Sequence, residues 1–147
     1  MLTINDDICG DASNIVLWQN EDKSSQKWVM HNDNTIESVQ CPGMVLSLAD
    51  TLCADGTFIV LSSKISGGSD YQAWILNYSS GTIVNTVCNT KGIDISDGSV
   101  NNGVEIILWQ LHADWNQHWD LLSVSTTTSP TIPPTYVETE TMPSVAP

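Results

Sequence analysis

The stretch Ile106-Ile107-Leu108-Trp109-Gln110-Leu111-His112-Ala113-Asp114-Trp115-Asn116-Gln117-His118-Trp119 decides how the chain is read. A branched apolar run ends in Leu-Trp, a polar loop follows, and the segment closes on Gln-x-Trp. Two earlier segments share this plan. Ile15-Val16-Leu17-Trp18 leads to Gln26-Lys27-Trp28, and Ile59-Val60-Leu61-Ser62 leads to Gln72-Ala73-Trp74. The three Gln-x-Trp endings are spaced 46 and 45 residues apart. A fixed period of that length marks a repeat architecture, in which one supersecondary unit is stacked on its copies.

The register extends backwards in each copy. Ile4, Leu48 and Ile95 lie 14 residues before Trp18, Ser62 and Trp109. They align Leu2-Thr3-Ile4, Leu46-Ser47-Leu48 and Ile93-Asp94-Ile95, each apolar, polar, apolar, as a strand with one buried face requires. Asp55-Gly56 and Asn102-Gly103 supply hairpin turns before Phe58 and Val104. Ser66-Gly67-Gly68-Ser69 lengthens the loop of the second copy. Gly, Asn, Asp and Thr interrupt every helical window, so an all-β chain is expected.

This pattern resembles the ricin-B-type lectins, β-trefoils of three Gln-x-Trp repeats. The resemblance covers residues 1–124, with repeats at about 1–28, 29–74 and 75–122. It implies that Trp28, Trp74 and Trp119 pack in a shared core while Gln26, Gln72 and Gln117 tie down backbone. Repeats two and three open with an extra strand, near Ile36-Glu37-Ser38-Val39 and Ile83-Val84-Asn85-Thr86-Val87. The first repeat has no counterpart before Leu2, so an open trefoil is expected.

The same resemblance implies a sugar site. An Asp in the polar-centred strand accepts hydroxyl hydrogen bonds, an aromatic stacks on the apolar face of the ring, and an Asn beside the Gln-x-Trp completes the cradle. Repeat three carries all of these as Asp94, Trp109, Asn116 and Gln117. Ile107, His112 and Trp115 stand close enough in sequence to add contacts, Ile107 replacing the polar residue usual in the family. Repeat one has Thr3 and Ser25 at the Asp and Asn positions. Repeat two has Ser47, Ser62 and Tyr71 at the three positions. Both have lost the charge-assisted bonds, worth about 1.5–3 kcal/mol each, and are expected not to bind sugar.

The formal charge is −13, from 17 acidic residues against four Lys. Such a field repels nucleic-acid backbones and anionic lipid. No run of 18 apolar residues would insert in a membrane, and the first residues lack the basic and apolar regions of a leader. Cys9 and Cys53 each follow the polar-centred strand by the same offset, while Cys41 and Cys88 precede it. Pairing across repeats, Cys9–Cys41 and Cys53–Cys88, uses one geometry twice and leaves none over. Pairing Cys41 with Cys53 would orphan the others. Bridges imply an oxidising compartment and a secreted protein, whereas four free thiols would fit a cytosolic one.

No His/Cys spacing for a metal, no nucleophile motif and no phosphate loop appears. No cofactor and no catalysis are expected. Asn77-Tyr78-Ser79 is an N-glycosylation acceptor triplet. Residues 125–147 hold five of the six Pro and no Gly. Thr126, Thr127, Thr128, Ser129, Thr131 and Thr135 fit an O-glycosylated stalk, or equally an undecorated tail. Thr135 to Thr141 is β-prone, and a donated strand from it would drive self-association of an extracellular filament. The principal expectation is a lectin module binding a carbohydrate or glycoprotein, and the alternative is that structural subunit.

Overall fold

A computed structural model describes residues 1–120 and 122. The O-glycosylation candidates and the β-prone tail segment lie outside the described residues. Ten strands form among the described residues, joined by loops and single 3₁₀ turns. They are β1 (Leu2–Ile4), β2 (Ser13–Leu17), β3 (Trp28–Met30), β4 (Ile36–Ser38), β5 (Met44–Leu48), β6 (Thr57–Ser63), β7 (Trp74–Asn77), β8 (Thr82–Asn85), β9 (Lys91–Ile95) and β10 (Val104–Gln110).

Three hairpins, β1–β2, β5–β6 and β9–β10, share one register. Ile4 pairs with Ile15, Leu48 with Ile59, and Ile95 with Ile106. These six side chains all lie in the core, as the alternation of their strands demands. The second strands then pair with one another in a ring. Val16 lies opposite Glu105, Val60 opposite Asn14, and Ile107 opposite Phe58. Gly56 and Gly103 take φ of +86° in the hairpin turns, which only glycine adopts without strain. Two further hairpins, β3–β4 and β7–β8, lead from one repeat into the next. Among the described residues, no strand stands before β1 as β4 and β8 stand before β5 and β9.

The Gln-x-Trp segments explain the loops. Each Gln sits in a 3₁₀ turn (Ser24–Gln26, Asp70–Gln72 or Trp115–Gln117). All three Gln are buried and make the same bonds. Gln26 Nε2 donates to Gln19 O and its Oε1 accepts from Glu21 N. Gln72 does so with Ser63 O and Ile65 N, and Gln117 with Gln110 O and His112 N. Buried polar groups persist only when paired in this way. The Trp indoles also repeat: Nε1 of Trp28, Trp74 and Trp119 donates to Leu2 O, Leu46 O and Ile93 O at 3.0–3.1 Å. Trp74 is fully buried, while Trp28 and Trp119 are partly exposed against the same core.

Disulfides join Cys9 to Cys41 and Cys53 to Cys88, and no described cysteine is free. Each crosses from one repeat to the next. Loops of 32 and 35 residues lose enough unfolded-state entropy to contribute about 3–4 kcal/mol apiece. No helix of the described residues is long and apolar enough to cross a membrane.

Candidate functional site

Repeat three opens an outward cleft of about 430 Å³, lined by residues that include Asp94, Ile107, Trp109, His112 and Asn116. Strand alternation sets the first three. Ile93 and Ile95 point into the core, so Asp94 projects to the other side of β9. On β10, Ile106 and Leu108 are in the core, so Ile107 and Trp109 face the cleft. Trp109 is 41% exposed and presents a ring to solvent, while Ile107 forms apolar floor beside it.

Asp94 is only 3% exposed. Its Oδ1 accepts from Asn116 Nδ2 at 2.9 Å, and its Oδ2 accepts from Gln117 Nε2 at 2.7 Å. His112 Nε2 lies 3.1 Å from the same Oδ2. The other ring nitrogen, Nδ1, accepts from Asp114 N at 3.2 Å, so the imidazole is held from both sides. Burying a carboxylate is costly unless donors surround it. The fold does not require the charge, because Thr3 and Ser47 occupy the same position in the other repeats and are also buried.

Gln117 is fully buried and is absent from the cleft wall. It holds Asp94 from behind through the 2.7 Å bond to Oδ2. Trp115 is 54% exposed, and its ring lies beside Gly98, a residue of the cleft wall, which puts it at the rim. Phe58, Ser96, Asp97 and Glu105 also line the cleft. Asp97 and Glu105 were accessible to sequence reasoning as neighbours of Asp94 and Ile107. Phe58 belongs to the second repeat and arrives only through the β6–β10 pairing.

The other two repeats differ. In repeat one a smaller cleft of about 230 Å³ includes Thr3, Trp18 and Glu21. The Trp18 indole donates to Glu21 Oε1 at 3.3 Å, and Glu21 is ion-paired to Lys23. In repeat two, Asp11 accepts from Ser63 N and Ser62 Oγ. Its carboxylate occupies the surface beside Ser62, the residue aligned with Trp109. Asn77 is exposed at the end of β7, its Oδ1 accepting from the Ser79 hydroxyl at 2.8 Å.

Among the described residues no group of three His, Cys, Asp or Glu side chains is placed to hold a metal ion. The cleft of repeat three offers what a pyranose needs without one. Carboxylate oxygens can accept from hydroxyls, an amide can donate to their lone pairs, and an indole face can cover C–H groups.

The ricin-type β-trefoil lectin domain model matches residues 2–119, and the chain belongs to that family. No curated protein matches it significantly. Among solved structures, a designed threefold-symmetric protein, ThreeFoil, is 22% identical with a TM-score of 0.74, over 84% of this chain and 90% of that one. The C-half of an earthworm R-type lectin in complex with GalNAc is 18% identical with a TM-score of 0.63, over 80% and 85%. The exo-β-1,3-galactanase 1,3Gal43A of Clostridium thermocellum is 27% identical with a TM-score of 0.71, over 84% of this chain but 27% of that chain. The fold is thus a β-trefoil of the carbohydrate-binding lectin type.

Proposed function

We propose that this chain is a non-catalytic lectin module that holds a sugar in the cleft of repeat three. Asp94 and Asn116 take the hydroxyls, Trp109 covers the ring, Ile107 and His112 complete the contact, and Gln117 positions Asp94. The observation that carries the reading is the buried Asp94 carboxylate, surrounded by amide and imidazole nitrogens at the foot of an exposed Trp. A charge that the other two repeats dispense with is best explained by a ligand. The GalNAc complex of the earthworm lectin makes galactosides the first probes. A glycan array run with wild type and Asp94→Ala tests it. Binding confined to wild type supports the reading, and equal profiles sink it.

Two disulfides and a lectin domain fit an extracellular setting, and we take the protein to be secreted, with Asn77 as a glycan acceptor. The module spans 1–124, and 125–147 serves as linker or tail.

A second reading, a self-associating structural subunit, has one observation in its favour. An apolar cleft of about 310 Å³ lies between Leu2, Trp28, Ile36, Ile83, Trp119 and Leu122. It flanks the two Gln-x-Trp tryptophans that remain partly exposed. A strand from another copy would cover them by β-addition. Deleting residues 130–147 and measuring assembly by light scattering and electron microscopy tests this; an unchanged state rejects the tail as the donor.

A further inference from the structure

The cleft of repeat three continues past Trp109. Ile107 on β10 is the cross-strand partner of Phe58 on β6, and both line the cleft. Phe58 is the only Phe of the chain. It is 41% exposed, the same as Trp109. Directly paired residues bring their Cβ atoms to about 4.5–5.5 Å, and diagonal pairs to about 7–8 Å. Trp109, two residues beyond Ile107 on β10, is the diagonal neighbour of Phe58, so the two aromatic rings share one wall of the cleft with Ile107 beside both.

The threefold ring shows that this is particular to one site. At each seam, the residue two before the Trp18, Ser62 or Trp109 position meets the residue four before it on a neighbouring strand. Val16 meets Glu105, Val60 meets Asn14, and Ile107 meets Phe58. Only one seam carries an aromatic, and it is the seam of the only repeat with the Asp. Phe58 does not stand alone: with Trp109 it forms an exposed aromatic surface on one cleft, rimmed by polar side chains, and such a rimmed apolar surface marks a ligand-binding groove.

The remaining walls set the chemistry. Asp97 and Glu105 join Asp94 as carboxylates on the cleft, and no Lys lines it. These groups accept hydroxyl hydrogen bonds and repel anions. The cavity of about 430 Å³ lies within the range of small-molecule sites.

Resting on the lectin reading above, we infer that Phe58 is a second stacking platform. The site then takes an uncharged disaccharide unit, one ring on Trp109 and the next on Phe58, and discriminates against sialylated or otherwise acidic sugars. Each ring contributes apolar C–H contact to its aromatic, and Asp97 and Glu105 accept from the second ring's hydroxyls.

Calorimetric titration of the full chain tests it, using methyl β-galactoside, the 1,3-, 1,4- and 1,6-linked galactobioses, lactose and sialyllactose. Wild type is expected to bind at least one neutral disaccharide about 10-fold more tightly than methyl β-galactoside, the size of one aromatic stacking contact. Phe58→Ala removes that advantage and leaves methyl β-galactoside within about twofold, while Phe58→Trp retains the advantage. Sialyllactose binds more weakly than lactose. Equal affinity for the monosaccharide and every disaccharide overturns the inference, as does a Phe58→Ala variant that keeps the preference. In those cases Asp94→Ala still abolishes binding and the lectin reading stands. If no probe binds wild type, or Asp94→Ala binds as wild type does, the lectin reading fails and the Phe58 platform with it.

Discussion

Gln117 Nε2 donates to Asp94 Oδ2 at 2.7 Å, so the glutamine that closes the third repeat also holds the carboxylate of its cleft. In repeat one the equivalent nitrogen reaches the Thr3 hydroxyl at 3.1 Å. One structural side chain thus ties loop to strand in both repeats, and in repeat three its partner is charged. Site and scaffold share an atom.

Asp94→Asn is the sharpest probe of that arrangement. The amide keeps the shape of the carboxylate but turns an NH₂ toward donors. Hydrogen bonds to a charged group are worth about 1.5–3 kcal/mol, so galactoside binding is expected to weaken at least about 10-fold. Titration measures the loss, and a thermal melt measures the accompanying cost of turning an NH₂ toward one of the two donors, Asn116 or Gln117, while the other keeps its acceptor. Unchanged affinity would remove Asp94 from the site.

Gln72→Ala separates scaffold from site. Gln72 is buried and bonds to Ile65 N and Ser63 O, and its loss frees both groups. Ser63 and Ile65 are exposed, so water can take over from the lost amide, and each bond contributes about 0.5–1.5 kcal/mol. Denaturant unfolding is expected to show that loss with sugar affinity unchanged. Gln117→Ala is expected to reduce both stability and affinity, because its amide serves the loop and Asp94 together.

Most of this was legible because the chain says everything three times. Hairpin register and core strands follow from aligning Ile4, Leu48 and Ile95, and the same alignment favours the cross-repeat cysteine pairing that the structure shows. The family resemblance singles out Asp94 and Trp109, and strand alternation turns both to the outward face. The alignment was blind to how the three copies meet. Phe58 reaches the cleft through a seam between repeats two and three that no single repeat encodes. The family motif also says that Gln117 belongs to the site without saying that it sits behind Asp94. Trp115 reaches only the rim, beside Gly98.

Reduction of the disulfides should be graded. Cys9–Cys41 and Cys53–Cys88 close loops of 32 and 35 residues. Each removal, as a Cys→Ala pair, is expected to lower unfolding free energy by about 3–4 kcal/mol. Chemical denaturation checks this, and the two losses should add because the bridges share no loop. A pair whose removal costs nothing would mean that its two repeats are already held by packing.

Acid sensitivity should trace to exposed carboxylates that gain donors on folding. Asp55 sits in the β5–β6 turn, bonds to the Lys91 ammonium and accepts from Gln110 N at 2.9 Å. The Lys91 contact first, and the Gln110 amide after it, hold its carboxyl below the ordinary 3.8 against an opposing effect of burial. A folded pKa below the unfolded one contributes stability that is present above pH 3.8 and is lost as pH falls through the lowered value. The Ser63 amide acts on Asp11, and Lys64 on Asp33, in the same sense. Melting temperature is therefore expected to hold from neutral pH down to about pH 5 and to fall below about pH 4. Asp55→Asn should melt lower than wild type at neutral pH and converge on it in acid. Added salt should shrink the difference, since Asp55 is exposed and screened. Parallel melting curves for the two proteins across the whole range would show that the Asp55 bonds to Lys91 and Gln110 contribute nothing to folding.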